Sequence, residues 1–289
     1  MKEYTKQQPQ VALVATDLDG TLLDSHKNVS EATRQAIRRL KEHGILFGVV
    51  SGRPVESGMV LARNWGLEDS ISFLIGMNGG VLYDTRRKEK ETYSLISGSD
   101  IADIIHEYKK HFDDLHFEVM VGNDRYVEFS TPETLENADL YGENEIIVDL
   151  DEFLEGRYVN KLIIRSRPEQ QKDVAKVGET IHIPGLKSVT TSDVLYEFVE
   201  ADINKGFGLQ KLCDHYGINL DNVVAFGDEN NDQEMIILAG TGVAMKNALP
   251  SVKAIADVVS DYTNDEDALA HYINEVILPS AQGKIEKQN

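Results

Sequence analysis

The chain has 289 residues, of which 41% are hydrophobic and 27% charged, a balance that indicates a folded globular protein of about two domains rather than a disordered or fibrous one. Its net charge of −20 would repel a nucleic-acid backbone, so a general nucleic-acid binder is disfavoured and a phosphorylated ligand would need local cations. The one cysteine, Cys213, forms no internal disulfide, and no apolar stretch reaches the roughly 18–20 residues of a membrane span. The polar N-terminal segment MKEYTKQQPQ is unlike a signal peptide. We therefore expect a cytoplasmic protein without a membrane or nucleic-acid partner, as a monomer or weak homo-oligomer.

The first part of the chain alternates between strand and helix patterns. The predicted elements are a strand Val11–Thr16, a helix from Ser30 to Gly44, a strand Ile45–Val50, a helix from Pro54 to about Trp65 and a strand Ser72–Gly76, followed by a turn into a hairpin that ends near Tyr83. The strands are continuous apolar runs, as expected of strands buried on both faces of a parallel sheet. This alternation indicates a doubly wound α/β layer.

The middle of the chain reads differently, with strand pairs that bracket helices. The predicted elements are a helix Asp100–His111, strands His116–Val121, Arg125–Phe129 and Tyr158–Arg165, a helix Pro168–Thr180, and a hairpin of Leu186–Thr191 with Leu195–Val199. Such an order is typical of an α+β unit with an antiparallel sheet.

From Gly206 the strand and helix alternation resumes. The predicted elements are a helix to about Tyr216, a strand Val223–Phe226, a helix from about Asp232, a short strand Gly242–Met245, a further helix and strand, a final helix from about Asp267 and a frayed tail after Pro279. We therefore predict an α/β fold with a doubly wound, Rossmann-like parallel-sheet core made of residues 1–85 and 201–289. An α+β cap domain of residues 86–200 would be inserted into it.

Two acidic motifs follow predicted buried strands. Asp17 and Asp19 lie in DLDGT, and Asp228 and Asp232 lie in GDENND. In an open parallel sheet the carboxyl ends of the strands meet at one edge, where ligands bind. Carboxylates brought together there repel one another unless a cation lies between them, and Mg²⁺ prefers oxygen ligands. Each motif alone is also compatible with an ordinary Asp-rich turn or helix cap, but two at one edge favour a magnesium site.

Other polar residues are expected at the same edge. Ser51, Gly52 and Arg53 lie between a strand and a helix, where a hydroxyl, a backbone amide and a helix N-terminus suit an anion, although for this motif alone a plain helix start is the favoured explanation. Lys205 precedes a predicted helix and could supply a cation for a phosphate. Asn78 follows the third strand. Arg53 and Asn78 are candidate substrate contacts on the core side, whereas Asp124, Arg125 and Tyr126 are conceivable cap contacts that hairpin-turn chemistry explains as well.

Taken in order, the segments DLDGT, VVSGRP, Lys205 and GDENND resemble the four motifs of the haloacid dehalogenase superfamily. The long insertion and the stretch from Gly242 to Ile273 are similar to the Cof-type phosphatases, which carry a large α/β cap. The resemblance implies that Asp17 is the nucleophile and forms an aspartyl-phosphate, and that Asp19 serves as acid and base. It also departs from the usual pattern at Lys246, where the family usually has glycine.

The same resemblance implies the ligands. Mg²⁺ would be held by the Asp17 side chain, the Asp19 carbonyl and Asp228, with Asp232 supporting the metal and Lys205 from behind. Ser51, the Gly52 amide and Lys205 would bind the phosphoryl oxygens. Asn231 would also support the metal and Lys205, and it is counted with Arg53 and Asn78 among the phosphate- and substrate-binding residues.

The expected function is a Mg²⁺-dependent phosphatase of small phosphorylated metabolites, such as sugar phosphates. A phosphotransferase or mutase on the same scaffold is the first alternative. A non-catalytic sensor of a phosphorylated ligand is less favoured, because both Asp17 and Asp19 are present.

Overall fold

A computed structural model describes residues 10–282 of the chain. Residues 1–9 and 283–289 lie outside the described residues. The tail predicted to fray begins after Pro279, but its residues 280–282 are helical. The strands of the described chain are β1 (Leu13–Thr16), β2 (Leu46–Val50), β3 (Phe73–Gly76), β4 (Val81–Asp84), β5 (Glu89–Thr92), β6 (Ile96–Ser97), β7 (His116–Val121), β8 (Asp124–Val127), β9 (Asn144–Ile147), β10 (Tyr158–Val159), β11 (Lys161–Arg165), β12 (Leu186–Thr190), β13 (Leu195–Glu200), β14 (Val223–Gly227), β15 (Thr241–Ala244) and β16 (Val258–Val259).

Helices connect most of these strands. The α-helices of the described chain are α1 (Glu31–Glu42), α2 (Val55–Asn64), α3 (Gly98–Lys109), α4 (Pro132–Tyr141), α5 (Leu150–Leu154), α6 (Gln171–Thr180), α7 (Lys205–Tyr216), α8 (Gln233–Leu238), α9 (Pro250–Lys253), α10 (Ala268–Tyr272) and α11 (Leu278–Gln282). The predicted final helix therefore runs as α10, a π-helical segment Ile273–Ile277 and α11.

The core sheet has the order β16-β15-β14-β1-β2-β3-β4-β5. Its pairings are parallel from β16 to β3, and β4 and β5 add two antiparallel strands at one edge. The sheet is buried on both faces, because α1, α2 and α10 pack on one side and α7 and α8 on the other. The prediction of a doubly wound core with an inserted cap is confirmed.

The cap is built on a second sheet of the order β12-β13-β11-β7-β8-β9. Its pairings are antiparallel except for that of β8 with β9. Period-two alternation directs Phe117, Val119, Leu162 and Phe198 into an apolar layer beneath α3, α5 and α6. The opposite face of this sheet faces the carboxyl ends of the core strands across a cavity.

Several predicted elements differ from the structure. The predicted strand Tyr158–Arg165 is two strands: β10 pairs with β6, and β11 enters the cap sheet after Asn160. The break arises at Asn160, whose side-chain amide donates to the Ser94 carbonyl and whose own carbonyl accepts from the Ser94 hydroxyl. The elements α4, β9 and α5 were not predicted. Pro54 is the N-cap of α2 with an extended backbone, rather than a residue of its first turn.

The domain division at residues 85/86 and 200/201 stays a proposal. Strand β5, Glu89–Thr92, pairs with β4 and so extends the core sheet beyond the first predicted boundary. We therefore propose that the cap begins after Thr92 and ends near Ala201. In the described range 10–282, no helix is both long enough and apolar enough to cross a bilayer.

Candidate active site

One cavity of about 780 Å³ lies between the core and the cap. Its core wall comes from the carboxyl ends of β1, β2 and β3 and from the first residue of α7. The sequence-predicted residues that line it are Asp17, Asp19, Ser51, Gly52, Arg53, Asn78, Lys205 and Asn231. The two remaining predicted residues, Asp228 and Asp232, have carboxylate oxygens within 4.8 Å of an Asp17 oxygen. The topology therefore brings every predicted site residue to one edge of the core sheet.

Lys205 is the buried centre of this cluster. Its side chain is 1% exposed, and its ammonium donates to Asp17 Oδ1 at 2.5 Å and to Asp232 Oδ1 at 2.6 Å. Burial would lower the pKa of Lys205, but the charges of Asp17 and Asp232 outweigh it and hold the pKa above its ordinary value. Lys205 therefore remains a cation within reach of the Asp17 carboxylate.

Asp232 shapes the loop that carries Asp228. Its second oxygen, Oδ2, accepts hydrogen bonds from the backbone amides of Asp228 and Glu229, both at 2.9 Å. A side chain at Gly227 would meet the Asp232 side chain at 2.5–2.7 Å, so a glycine is required there. Both oxygens of Asp232 are thus occupied, and its role is to position Lys205 and the Asp228 backbone.

Asp17 and Asp228 keep oxygens available for a cation. Asp17 uses Oδ1 for Lys205, and Asp228 uses Oδ1 to accept from the Thr21 hydroxyl at 2.6 Å. Within residues 10–282, Oδ2 of each makes no hydrogen bond in the structure. Gly20 has φ +79°, and a side chain there would lie 2.2 Å from Asp228 Oδ2, so this glycine keeps the space beside that oxygen open. Two carboxylates with open oxygens are the donor type that Mg²⁺ takes.

The pKa values of Asp17 and Asp228 also favour a cation site. Burial, opposed by Lys205 and reinforced by the neighbouring carboxylates, raises the pKa of Asp17 to about 7. Burial also raises the pKa of Asp228 to about 6, against the hydrogen bond from Thr21. A divalent cation would stabilise the ionised form of both carboxyls against this burial and against their mutual repulsion. The residues present therefore fit a Mg²⁺ ion.

Asp19 lies in a different electrostatic setting from Asp17. Arg53 donates to Asp19 Oδ2 at 2.9 Å, and the Lys27 ammonium donates to Asp19 Oδ1 at 2.6 Å. Partial burial alone would raise the pKa of Asp19, but the charges of Arg53 and Lys27 outweigh it and lower the pKa. Two carboxyl groups two residues apart are thus driven in opposite directions in the metal-free protein, Asp17 toward its protonated form and Asp19 toward its carboxylate.

The remaining core residues form a polar loop beside Asp17. The backbone amide of Asn78 donates to the Ser51 carbonyl at 3.0 Å, and Asn231 Nδ2 donates to Asn78 Oδ1 at 3.2 Å. Asn78 adopts a left-handed backbone with φ 53°, which asparagine tolerates better than most residues. A side chain at Gly52 would lie 3.2 Å from the Asn78 amide group, so Gly52 admits this close approach.

The cap wall of the cavity carries several charged side chains, of which sequence reasoning named only Arg125. On β7, β8, β11 and β13 the side chains facing the core include Glu118, Arg125, Lys161, Arg165 and Glu197. Of the three conceivable cap contacts, Arg125 lines the cavity, whereas Asp124 bonds Asn144 and Tyr126 stacks on Phe153. The available signal was the period-two alternation of charged and apolar residues, since a strand packed over a cleft can present its polar face to that cleft.

Comparison with known proteins supplies a family context. The family model for haloacid dehalogenase-like hydrolases matches residues 14–273. The chain is 30% identical over 269 residues to the 5-amino-6-(5-phospho-D-ribitylamino)uracil phosphatase YitU of Bacillus subtilis (strain 168), covering 91% of this chain and 96% of that protein. It is 29% identical over 285 residues to YwtE of the same organism, which bears the same activity name, covering 91% and 97%. A solved haloacid dehalogenase-like hydrolase from Bacteroides thetaiotaomicron superposes with a TM-score of 0.82 at 27% identity, covering 92% and 100%.

Proposed function

The chain belongs to the Cof-type haloacid dehalogenase-like hydrolases and is a phosphoric monoester hydrolase, and we propose that it cleaves small-molecule phosphate monoesters with Mg²⁺ through an aspartyl-phosphate on Asp17. The observation that carries this proposal is the buried Lys205 held between Asp17 and Asp232, with Asp228 beside them. Phosphoryl transfer depends mainly on positioning and charge neutralisation, and this cluster is suited to both.

In the first step a carboxylate oxygen of Asp17 attacks the phosphorus atom, and the bond from phosphorus to the leaving oxygen breaks. Asp19, which lines the same cavity, gives a proton to the leaving oxygen. In the second step Asp19 takes a proton from water, whose oxygen attacks the phosphorus and returns the Asp17 carboxylate and inorganic phosphate.

The transferring phosphoryl group carries negative charge that the site must match. Lys205 and the Arg53 guanidinium supply cations, and the Ser51 hydroxyl and Gly52 amide supply hydrogen-bond donors. The Arg53 side chain lines the cavity, so its guanidinium is placed to meet an anion there. Asn78 and Asn231 would orient this loop and contact the substrate.

Mg²⁺ would be held by Asp17, Asp228 and the Asp19 carbonyl, with Asp232 holding the loop from behind. When bound, the ion supplies positive charge at the phosphoryl oxygens. Lys205 keeps one Asp17 oxygen fixed, which leaves the other for the metal or for phosphorus.

The substrates we propose are small phosphorylated metabolites, sugar phosphates among them. A cavity of about 780 Å³ is within the range of small-molecule sites and has room for more than a phosphate group. The activity for which YitU and YwtE are named adds a phosphorylated ribitylamino-uracil to the compounds to be tried. We further propose a cytoplasmic location, a monomer or weak homo-oligomer, and no nucleic-acid or membrane partner.

The experiment measures inorganic phosphate released from sugar phosphates, nucleotides and cofactor phosphates, with Mg²⁺ and with EDTA, for the wild type and for Asp17→Asn. Asp173→Asn is the matched control, because Asp173 is an exposed residue of α6 that pairs with Lys176. Release that needs Mg²⁺, disappears in Asp17→Asn and persists in Asp173→Asn supports the proposal.

Two other outcomes would favour one of the alternative functions. Phosphate exchange between sugars without net release would replace hydrolysis by a phosphotransferase or mutase. Binding of phosphorylated compounds that is equal in the wild type and Asp17→Asn, with neither release nor exchange, would indicate a sensor.

A further inference from the structure

We propose that Lys161 and Glu197 form a specificity site in the cap for an uncharged, hydroxyl-bearing part of the leaving group. The inference rests on the proposed function where it concerns turnover, whereas the binding experiment below does not require hydrolysis. The two side chains form a buried ion pair of 3.0 Å, with exposed fractions of 8% and 7%.

Both residues line the cavity that contains Asp17 and Lys205. Lys161 is the first residue of β11, and Glu197 lies on the adjacent strand β13. Because side chains alternate along a strand, Lys161 and Ile163 face the core while Leu162 packs into the cap interior. The pair therefore belongs to the wall of the cavity opposite the catalytic carboxylates.

The place of Lys161 in the sheet puts it at the end nearest the core. It follows Asn160, whose side chain is bonded to the linker residue Ser94. The neighbouring strand β13 leads directly into the second linker, which is fastened by the Lys187 ammonium to the carbonyls of Ala201 and Ile203. Lys205 follows Ile203 by two residues, so the leaving group of a phosphate held at Lys205 would extend toward this end of the cap sheet.

The number of carboxylate partners separates Lys161 from the two arginines of the cap wall. Arg125 lies within salt-bridge distance of Glu118, Glu143 and Glu145, and Arg165 pairs with Glu118 and Glu133. The Lys161 ammonium has three N–H groups, and within residues 10–282 it donates to Glu197 alone. Two of its donors are therefore left for water or a ligand.

Glu197 offers the complementary acceptors. Its Oε2 accepts from Lys161, and its Oε1 accepts from the Thr191 hydroxyl at 3.3 Å. Two carboxylate oxygens provide about four acceptor sites, so capacity remains on both. The buried wall thus presents a charged donor and a charged acceptor side by side.

The Lys161–Glu197 pair favours a leaving group that carries neighbouring hydroxyl groups. Neighbouring hydroxyl groups can accept from Lys161 and donate to Glu197 at once, and an uncharged group leaves the neutrality of the ion pair undisturbed. The side chains of Ile163 and Val199, which border the pair in the cavity wall, offer apolar surface to the carbon side of a polyol. A leaving group without hydroxyls would leave two desolvated charges without additional partners, which costs affinity.

The test uses the double variant Lys161→Met/Glu197→Gln, because removing one partner would strand a buried charge and removing both would not. In the Asp17→Asn background, calorimetry gives the affinities for glucose 6-phosphate, ribitol 5-phosphate and inorganic phosphate. We expect the affinity of the better polyol phosphate relative to inorganic phosphate to fall about 10–100-fold in the double variant. The exposed pair Lys176→Met/Asp173→Asn, on the far side of the cap, should leave that ratio unchanged.

The same substitutions are compared in turnover in proteins that retain Asp17. The ratio of kcat/KM for the polyol phosphate to that for p-nitrophenyl phosphate, whose leaving group has no neighbouring hydroxyls, should fall by a similar factor. An unchanged affinity ratio in a double variant with a wild-type melting temperature would overturn the inference and leave the pair a structural one. A changed affinity ratio in a protein that releases no phosphate would support the subsite while defeating the proposed hydrolysis, so the two failures are distinct.

Discussion

The guanidinium carbon of Arg53 lies 3.4 Å from the centre of the Tyr141 ring, so a core loop and a cap helix meet directly at the cavity. The same guanidinium donates to Asp19 at 2.9 Å. Burial would lower the pKa of Arg53, but the nearby Asp19 carboxylate outweighs it and raises the pKa. One cation thus joins the cap to a proposed catalytic carboxyl.

Replacement of Tyr141 tests this contact. A guanidinium over an aromatic face is worth about 0.5–2 kcal/mol, so Tyr141→Ala should raise KM about 3–10-fold by releasing Arg53 from its place. Tyr141→Phe keeps the ring and should stay close to the wild type. Leu140→Ala is the control, because Leu140 is an exposed neighbour on α4. Equal effects of the alanine and phenylalanine variants would assign the effect to the Tyr141 hydroxyl instead of its ring.

Gly20 provides a test of the proposed metal site that leaves every carboxylate in place. Gly20 and Gly44 both have positive φ, +79° and +72°, but a side chain at Gly20 would lie 2.2 Å from Asp228 Oδ2 and one at Gly44 would meet nothing within 4 Å. Both alanine variants should lose about 1–2 kcal/mol from the left-handed backbone. Only Gly20→Ala should also displace Asp228, and with it most Mg²⁺-dependent phosphate release.

The comparison of the two variants in urea unfolding and in phosphate release separates the effects. A Gly20→Ala protein with full Mg²⁺-dependent activity would show that the Asp228 oxygen beside Gly20 is not needed for the metal.

Topology is what made the core side of the site predictable. Asp17, Ser51 and Asp228 are distant in sequence, but each follows a buried parallel strand, and the carboxyl ends of such strands share an edge. The structure places all three at that edge. Their proposed chemical roles come from the family resemblance and await the experiments above.

The cap side was less accessible to sequence reasoning. Helix α4, which carries Tyr141, has exposed leucines at positions 135 and 140 and buried Thr134 and Ala138, so its sequence lacks a clear apolar stripe. The charged face of β7 and β11 has an ordinary alternating pattern. That pattern predicts the strands, but only the packing of the cap against the core determines whether the polar face meets water or a cleft.

Magnesium should stabilise the protein more at alkaline than at acidic pH. In the metal-free protein the pKa values of Asp17 and Asp228 are raised to about 7 and about 6. The folded chain then holds protons that the unfolded chain has lost, so the metal-free stability falls as pH rises from about 4 to about 7. Mg²⁺ competes with those protons, and its binding strengthens over the same range.

Melting temperatures measured with Mg²⁺ and with EDTA at about pH 5.5 and about pH 8 give this dependence. We expect the increase caused by Mg²⁺ to be larger at the higher pH, and Asp228→Asn to reduce the increase at both. A Mg²⁺ effect that is larger at acidic pH would place the ion away from these carboxyls.

Glu118 should make the cap sensitive to acid. Its side chain is 1% exposed and lies 2.7 Å from Arg165, 3.3 Å from Arg125 and 3.6 Å from the His116 ring. Burial would raise the pKa of Glu118, but His116 and the two arginines outweigh it and lower the pKa from 4.5 to about 2. A shift of this size corresponds to about 3 kcal/mol of folding free energy.

Because folding lowers the pKa of Glu118, the stabilisation that this residue gives depends on pH. The stabilisation is fully present above about pH 4.5, where Glu118 is ionised in both states, and it is lost as pH falls toward about 2. Glu118→Gln should therefore lower the free energy of unfolding by about 2–3 kcal/mol near pH 7 and by much less near pH 3. Urea unfolding at the two pH values measures this, with Glu136→Gln, an exposed substitution on α4, as the control that should change stability by under about 0.5 kcal/mol. If the loss in Glu118→Gln were the same at both pH values, packing of the side chain rather than its charge would be what stabilises the cap.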